Sequence, residues 1–444
     1  MEQLRHSGLF TSRVPRYTSY PPANQFIPAE GRLNHDRWLS SIPHGARLSA
    51  YVHVPYCREL CWFCACRTQA VEGFSAIERY VEMLQREIAI VRAKLPKKVS
   101  LSRLYLGGGT PTMMLPTQIQ AFLDTLYEAL PRAENFEFFV EVDATSVSQT
   151  VIDSLIDRGM TRAVVAVHDF DPQVQKAIGR RRSFEQTLNA VRHLREAGLQ
   201  NLDMELLYGL PRQSVRSIAE TTQQVLALEP DRIAVCEYAH IPRVAKRQIL
   251  IDTHLLPSAE KAFSISRAAH QILTSDGYEP VGIDHFVRLG DSLLAARESG
   301  QLRRDFQGYS DDAAHALIGF GASAISRFPL GFVQNAAATS VYGADINNGR
   351  LAGNRGYSLI ANDRLVAGMI EMLMCRFELR LDDIVTRFPA GREFAIRAIR
   401  LLSESFEQVL DVTPERLAIK PNAYPVARLL CNALDEMGRN EAVA

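Results

Sequence analysis

The feature that most limits what this chain can fold into is an alternation of strand and helix patterns, repeated six times between residues 49 and 274. Strand-like apolar runs occupy 49–54, 104–106, 136–142, 163–167, 202–207 and 232–235, and a helical pattern follows each. In the first unit Ile77, Tyr80, Val81, Leu84, Ile88, Val91 and Leu95 recur at helical spacing. Thr117 with Gln120 reads as a capping box opening a helix through Leu130. Gly198 ends the helical face of Phe184, Leu188, Val191 and Leu194. Strands separated by helical crossovers pair in parallel. Two α/β architectures satisfy the pattern: a partial parallel (β/α)6 barrel, open on one side, or a doubly wound sheet. Unusual residues favour the barrel, because they sit at or just past the C-terminal strand ends, where parallel barrels gather their chemistry. They are a cysteine-rich loop after the first strand, the glycines 107–109, Glu141, His168, Glu205 and Ala239.

The loop after the first strand carries Cys57, Cys61, Cys64 and Cys66, four of the seven cysteines. The first three are spaced so that three thiolates can reach three irons of one iron–sulfur cluster. Such clusters are normally closed by four thiolates. Three leave one iron open, as catalysis at a metal requires. Zinc or a disulfide pair is the competing explanation. Structural zinc recruits a second cysteine or histidine pair at short range, whereas the next cysteine here is Cys236. Cys236, Cys375 and Cys431 read as buried apolar residues.

The Cys-x3-Cys-x2-Cys spacing resembles the signature of radical S-adenosylmethionine (SAM) enzymes. The wider string, together with Pro15-Arg-Tyr-Thr-Ser-Tyr-Pro21, Gly107-Gly-Gly-Thr-Pro111, Glu141-Val-Asp143, Tyr208-Gly-Leu-Pro211, Tyr238-Ala-His-Ile-Pro242, Asp284-His-Phe286 and Phe306-Gln-Gly-Tyr309, resembles the oxygen-independent coproporphyrinogen III oxidases in their order. The resemblance spans about residues 10 to 390. It implies a radical SAM partial barrel. It also implies a [4Fe–4S] cluster on Cys57, Cys61 and Cys64, and one or two SAM molecules. Cofactor contacts carried over by position are Tyr51, Phe63, Gly108, Gly109, Thr110, Glu141, His168, Arg180, Glu205, Ala239 and Ile325. Cys66 is either a hydrogen-atom or proton donor near the substrate or a small buried residue. Arg16 and Arg288 are candidate partners for substrate carboxylates, because a guanidinium bonds carboxylates bidentately.

The implied reaction is conversion of coproporphyrinogen III to protoporphyrinogen IX in haem biosynthesis. A SAM-derived 5′-deoxyadenosyl radical removes a propionate hydrogen, carbon dioxide leaves and a vinyl group forms. The implied partners are a tetrapyrrole substrate and a reducing electron donor protein. Departures from the family pattern cluster on the cofactor side. His168 stands where glutamine is usual and Glu205 where aspartate is usual, so the second SAM site looks altered. Two other readings stay open: a divergent paralogue acting on another tetrapyrrole, and a haem-binding carrier without this activity.

Three domains are expected: an irregular arm over 1–45 that covers the active site, the barrel with its flanking segment over 46–355, and a smaller, mainly helical domain over 356–444. Lys+Arg and Asp+Glu both number 50, so broad electrostatic binding to nucleic acid is not expected. No apolar run approaches bilayer-spanning length, and the N-terminus lacks a secretory core. Cluster-ligating thiols need a reducing compartment, so the expectation is a cytoplasmic monomer.

Overall fold

The computed structural model describes residues 1–442 and separates into two compact units. One comprises Ile27–Gly277 and Asp312–Ser358. The other joins Met1–Phe26, Tyr278–Asp311 and the chain from Leu359 onward. The arm expected over 1–45 is thus shared between them. No helix of the described residues is long and apolar enough to cross a membrane.

The larger unit includes six consecutive parallel strands: β1 (Arg47–Val54), β2 (Ser100–Gly108), β3 (Arg132–Val142), β4 (Arg162–His168), β5 (Asn201–Tyr208) and β6 (Arg232–Glu237). Each pairs with the next in sequence order. No strand order reverses, so there is no switch point of the doubly wound kind, and the unit is a partial barrel. The crossovers are α1 (Ser75–Lys94), α2 (Pro116–Ala129), α3 (Gln149–Asp157), α4 (Phe184–Glu196) and α5 (Val215–Leu226); α6 (Ala259–Ser275) follows β6. Each buries the apolar stripe that its spacing announces: in α1 it comprises Ile77, Tyr80, Val81, Leu84, Ile88 and Val91. Tyr51, Tyr105 and Phe139 lie in register on β1, β2 and β3, with ring centroids 5.9 and 6.0 Å apart.

Two local expectations are corrected, and the sheet gains strands. The α2 capping box does not use Thr117 and Gln120. Pro116 fixes φ at the first helical position, so the helix starts earlier, and the Gln118 side chain caps the Leu115 N–H at 2.9 Å. Residues 316–320 add a strand to the barrel sheet. As β7 (Ala316–Phe320) they pair in parallel with β1, and β8 (Ile325–Phe328), β9 (Gly331–Asn335) and β10 (Gly353–Ser358) continue the sheet antiparallel. The span read as irregular contains a helix, Glu30–Ser40, with Trp38 and Leu39 buried. It packs so close to β10 that a Cβ on Gly31 would lie 2.5 Å from the Arg355 carbonyl oxygen. Flanking prolines and a mixed polar sequence hide this helix from periodicity.

A buried carboxylate ties the added strands to α1. Glu87 accepts from the Gly321 N–H at 2.7 Å, the Tyr342 hydroxyl at 2.7 Å and Asn335 Nδ2 at 2.8 Å. Tyr80 donates to the His53 carbonyl at 2.9 Å and accepts from the Ala322 N–H at 2.8 Å. The loop after β7 is therefore fixed to the end of β1. Glu87→Gln places an amide NH2 against a donor in either orientation. It is expected to cost about 1–3 kcal/mol in urea-unfolding measurements.

The smaller unit is mainly helical, with helices Ala361–Arg376, Leu381–Arg387, Arg392–Phe406 and Ala427–Ala442 and a small antiparallel sheet of Glu378–Arg380, Arg416–Ile419 and Leu410–Thr413. Asp284 lies buried in it. Its carboxylate takes both terminal nitrogens of Arg304 at 3.2 and 3.1 Å, Arg428 at 3.0 Å and His285 Nδ1 at 2.8 Å. Tyr309 of the Phe-Gln-Gly-Tyr motif packs its ring under Arg304, 4.4 Å from the guanidinium carbon. Its hydroxyl donates to the Met374 carbonyl at 2.8 Å and accepts from the Ile283 N–H at 3.1 Å. Gly282 must be glycine: its φ is +61°, and a Cβ there would sit inside the Tyr309 ring, 1.9 Å from Cζ.

Candidate active site

β1 ends at Val54, and the cysteine loop leaves from there across the C-terminal rim. Two backbone bonds clamp its start to the glycine turn after β2: Gly109 N–H to the Val54 carbonyl at 2.8 Å, and Thr110 N–H to the Tyr56 carbonyl at 2.7 Å. The approach leaves no room for side chains. A Cβ on Gly109 would lie 2.5 Å from the Tyr56 carbonyl oxygen, and one on Gly108, at φ +110°, 2.5 Å from His53 Nδ1. The far side of the loop is anchored by Trp62, whose N–H donates to the Ile178 carbonyl at 3.0 Å. Trp62 and Phe63 pack on a buried cluster of Val174, Ile178, Leu210, Tyr238 and Ile251.

All four loop cysteines are free thiols. Burial pushes Cys57 up to about 11, against a hydrogen bond from Thr110. Cys64 is held below the ordinary thiol value, mainly by the hydrogen bond from Cys66, with Arg247 and Arg180 adding positive charge. Arg180 Nη1 approaches Cys61 Sγ at 3.5 Å, and its other terminal nitrogen bonds the Ala166 carbonyl. Of the three consecutive arginines, Arg180 is buried against the loop and Arg181 is exposed. Arg182 pairs with Asp143 at 2.5 Å.

Glu141, near the end of β3, accepts the Gly108 N–H at 2.9 Å. Burial, then the charge of Glu205 on β5, pushes its carboxyl up to about 7. Tyr51 bonds His53 Nδ1 through its hydroxyl at 3.1 Å, and His53 Nε2 donates to the Arg67 carbonyl at 3.0 Å. Phe63 meets His168 edge-on, with ring centroids 4.7 Å apart. Ala239 lies just past β6, and its carbonyl accepts Gln248 Nε2 at 3.1 Å. Ile325 begins β8. Arg16 and Arg288 belong to the smaller unit, where the Arg288 guanidinium lies 5.1 Å over the Tyr278 ring.

His168 terminates β4 in an unusual way. Its φ is +68°, and the Asp169 N–H reaches back to the Val167 carbonyl at 3.0 Å. This i to i+2 bond around a left-handed residue is a γ-turn of the strained type. Asp169 locks it. Its fully buried carboxylate accepts from Gln213 Nε2 at 2.7 Å, Thr221 Oγ1 at 2.9 Å and the Asp171 N–H at 2.7 Å. Gln213 Oε1 in turn accepts the Gly209 N–H at 2.8 Å, joining this turn to the one after β5. Sequence reasoning missed Asp169, Gln213, Trp62 and Gln248. The spacing of Asp169 behind an unusual strand-end histidine was the one available signal.

Three features test the fit to a three-cysteine [4Fe–4S] cluster and SAM. The donor set is three thiols on one loop with a cationic Arg180 beside Cys61. Among the described residues no His, Cys, Asp or Glu group is gathered for a single ion. The glycine turn presents bare backbone beside Glu141. His168 Nδ1 is buried without a partner, and burial, Arg180 and Arg182 keep its imidazole neutral. The residues fit.

Comparisons with known proteins agree with this geometry. Residues 51–225 match the Radical SAM superfamily. Over 433 residues, 98% of this chain and 96% of the relative, the chain is 43% identical to the oxygen-independent coproporphyrinogen III oxidase of Paracoccus denitrificans. It is 32% identical over 430 residues to the Escherichia coli protein of that name, covering 96% of this chain and 94% of that one. The solved structure of coproporphyrinogen III oxidase from Escherichia coli, described as a radical SAM enzyme, superposes with a TM-score of 0.89 at 31% identity, covering 95% and 97% of the two chains.

Proposed function

Because the chain belongs to the oxygen-independent coproporphyrinogen III oxidases of the radical SAM superfamily, we propose that it decarboxylates two propionates of coproporphyrinogen III to give protoporphyrinogen IX without oxygen. The observation that carries this reading is the cysteine loop clamped to a bare glycine turn at the barrel rim, with Glu141 bonded to that turn. In this reading Cys57, Cys61 and Cys64 hold the cluster, and Arg180 orients Cys61 from outside the ligand set. Gly108, Gly109, Thr110 and Glu141 receive SAM, with Tyr51, Phe63, His168, Glu205, Ala239 and Ile325 lining its surroundings. When bound, the cluster and SAM supply one electron and the carbon radical that takes a hydrogen atom from the propionate.

The chain's own part is to bind, orient and exclude water. Trp62 and Phe63 pack the loop onto an apolar cluster and so fix its position. His168 offers a neutral acceptor at Nδ1 from a rigid turn. Arg16 and Arg288 are assigned to substrate carboxylates on chemistry alone. Cys66, hydrogen-bonded to Cys64, is assigned as a donor to the reacting substrate.

The test is reconstituted protein under dithionite, with SAM cleavage followed with and without coproporphyrinogen III. Cleavage that accelerates with this substrate supports the proposal. Cleavage indifferent to it points to a paralogue with another substrate. Tightly retained haem with no cleavage points to a carrier. The His168→Gln variant restores the residue usual in the family and is expected to keep or raise SAM cleavage. A large loss with the fold intact, judged by circular dichroism, contradicts the role given to this position.

A further inference from the structure

The segment after β6 carries a feature that the proposed reaction does not use. Ile241, Val244, Ile249 and Leu250 are exposed on one short loop, Ile249 by 80%. The loop is ordered. The Val244 and Ala245 N–H groups both bond the Ile241 carbonyl at 2.9 Å, and Lys246–Leu250 forms a 3-10 turn. Buried Gln248 staples it: its Oε1 accepts the Ile241 N–H at 2.6 Å, and its Nε2 donates to the Phe63 carbonyl at 2.8 Å. Arg247 bonds Thr68 Oγ1 at 2.8 Å and the Cys66 carbonyl at 3.3 Å. Four large apolar side chains are thus held in water on a rigid support bonded to the cysteine loop. Apolar residues gathered this way mark interaction sites.

The charge around them is mainly positive, with Glu59, Glu237 and Asp252 the acidic residues nearest in sequence. Residues 239–251 include Arg243, Lys246 and Arg247 and no acidic residue. The cysteine loop adds exposed Arg58 and Arg67 against Glu59. Among the described residues Arg243 and Lys246 enter no ion pair, although many surface arginines elsewhere do, such as Arg216 with Glu220. The chain as a whole is neutral, so this is a local excess. An apolar centre with a charged rim is the anatomy of a transient interface, in which charge governs encounter rather than lifetime.

The geometry points to residues 241–250, with Arg58 and Arg67, as the docking surface for an acidic protein that carries single electrons at low potential. The inference rests on the proposed cluster assignment, because a donor seated here lies against the backbone of Phe63 and Cys66, which flank Cys64. The carrier loses one electron and the cluster gains it, once per SAM cleaved.

The probe is an acidic flavodoxin kept reduced by its NADPH-dependent reductase, compared with dithionite. In R243E/K246E and in Ile249→Ser, flavodoxin-driven SAM cleavage is expected to fall about tenfold or more at low salt through a raised KM for flavodoxin, while dithionite-driven cleavage is unchanged. Titration of oxidised flavodoxin onto the protein, which needs no turnover, is expected to show the same weakening, and added salt should erase it in the unaltered protein. Unchanged flavodoxin affinity overturns the proposal, as does an equal loss with both reductants. Dissociation of a dimer by Ile249→Ser with flavodoxin binding intact would assign the patch to a second copy of the chain. No dithionite-driven cleavage in the unaltered protein would overturn the cluster assignment itself, whatever the flavodoxin titration showed.

Discussion

Cys57→Ala, Cys61→Ala and Cys64→Ala each lose the cluster and fall to background in coproporphyrinogen decarboxylation, while the barrel stays folded. The fold should survive because the loop is held by other means. Backbone bonds to the glycine turn and the packing of Trp62 fix it, and none of the three side chains contributes core packing. The loss is complete because three ligands are already one fewer than a closed site has, and two cannot retain a four-iron cluster. Iron and acid-labile sulfide analysis after anaerobic reconstitution checks this, with about four irons per chain in the unaltered protein. Cys66→Ala should keep its iron and lose only turnover. Iron retained in the Cys64 variant and lost in the Cys66 variant would move the ligand assignment.

Asp284→Ala is the second large effect, and it concerns stability rather than chemistry. Two buried guanidiniums, Arg304 and Arg428, converge on this one carboxylate, and His285 adds a third bond. Removing it takes the shared carboxylate from two largely buried guanidiniums, a loss of about 3–5 kcal/mol. Asp284→Asn keeps some of the hydrogen bonds and should cost less. Burial alone would raise the Asp284 carboxyl, but Arg304, the His285 bond and Arg428 outweigh it and hold the group well below its usual range. A folded value below the unfolded one means the contribution is present at neutral pH and is lost as acid protonates the native carboxylate. Urea midpoints of the unaltered protein and the variant should therefore converge in acid, below the usual aspartate range, and differ most near neutrality. Midpoints that stay equal at neutral pH would contradict the account.

The barrel was legible because its signals are local and repeated. Apolar strands, amphipathic helices and odd residues at strand ends recur in the same order, and consecutive pairing follows from the crossovers. What the sequence hid depends on distant partners. Residues 316–320 look like any short apolar run, and only their pairing with β1 makes them a seventh parallel strand. The helix Glu30–Ser40 is stabilised by burial of Trp38 against Phe328, 5.8 Å away, not by its own periodicity. At the rim, the cysteines and glycines could be read because their spacing is itself the chemistry. Gln213 could not, since it is an ordinary polar residue until the γ-turn at His168 brings Asp169 to it. The run Arg180-Arg181-Arg182 shows the same limit: composition offers three equivalent cations, and only the fold turns one toward Cys61 and another toward Asp143.

The most direct measurement is product analysis under strict anaerobiosis: reconstituted protein, a reductant, SAM and coproporphyrinogen III, followed by mass spectrometry of the tetrapyrrole and of the nucleoside. The account predicts protoporphyrinogen IX, with both decarboxylations dependent on SAM and matched by 5′-deoxyadenosine. A protein with its cluster in place that forms 5′-deoxyadenosine yet returns coproporphyrinogen III with every propionate intact would contradict it.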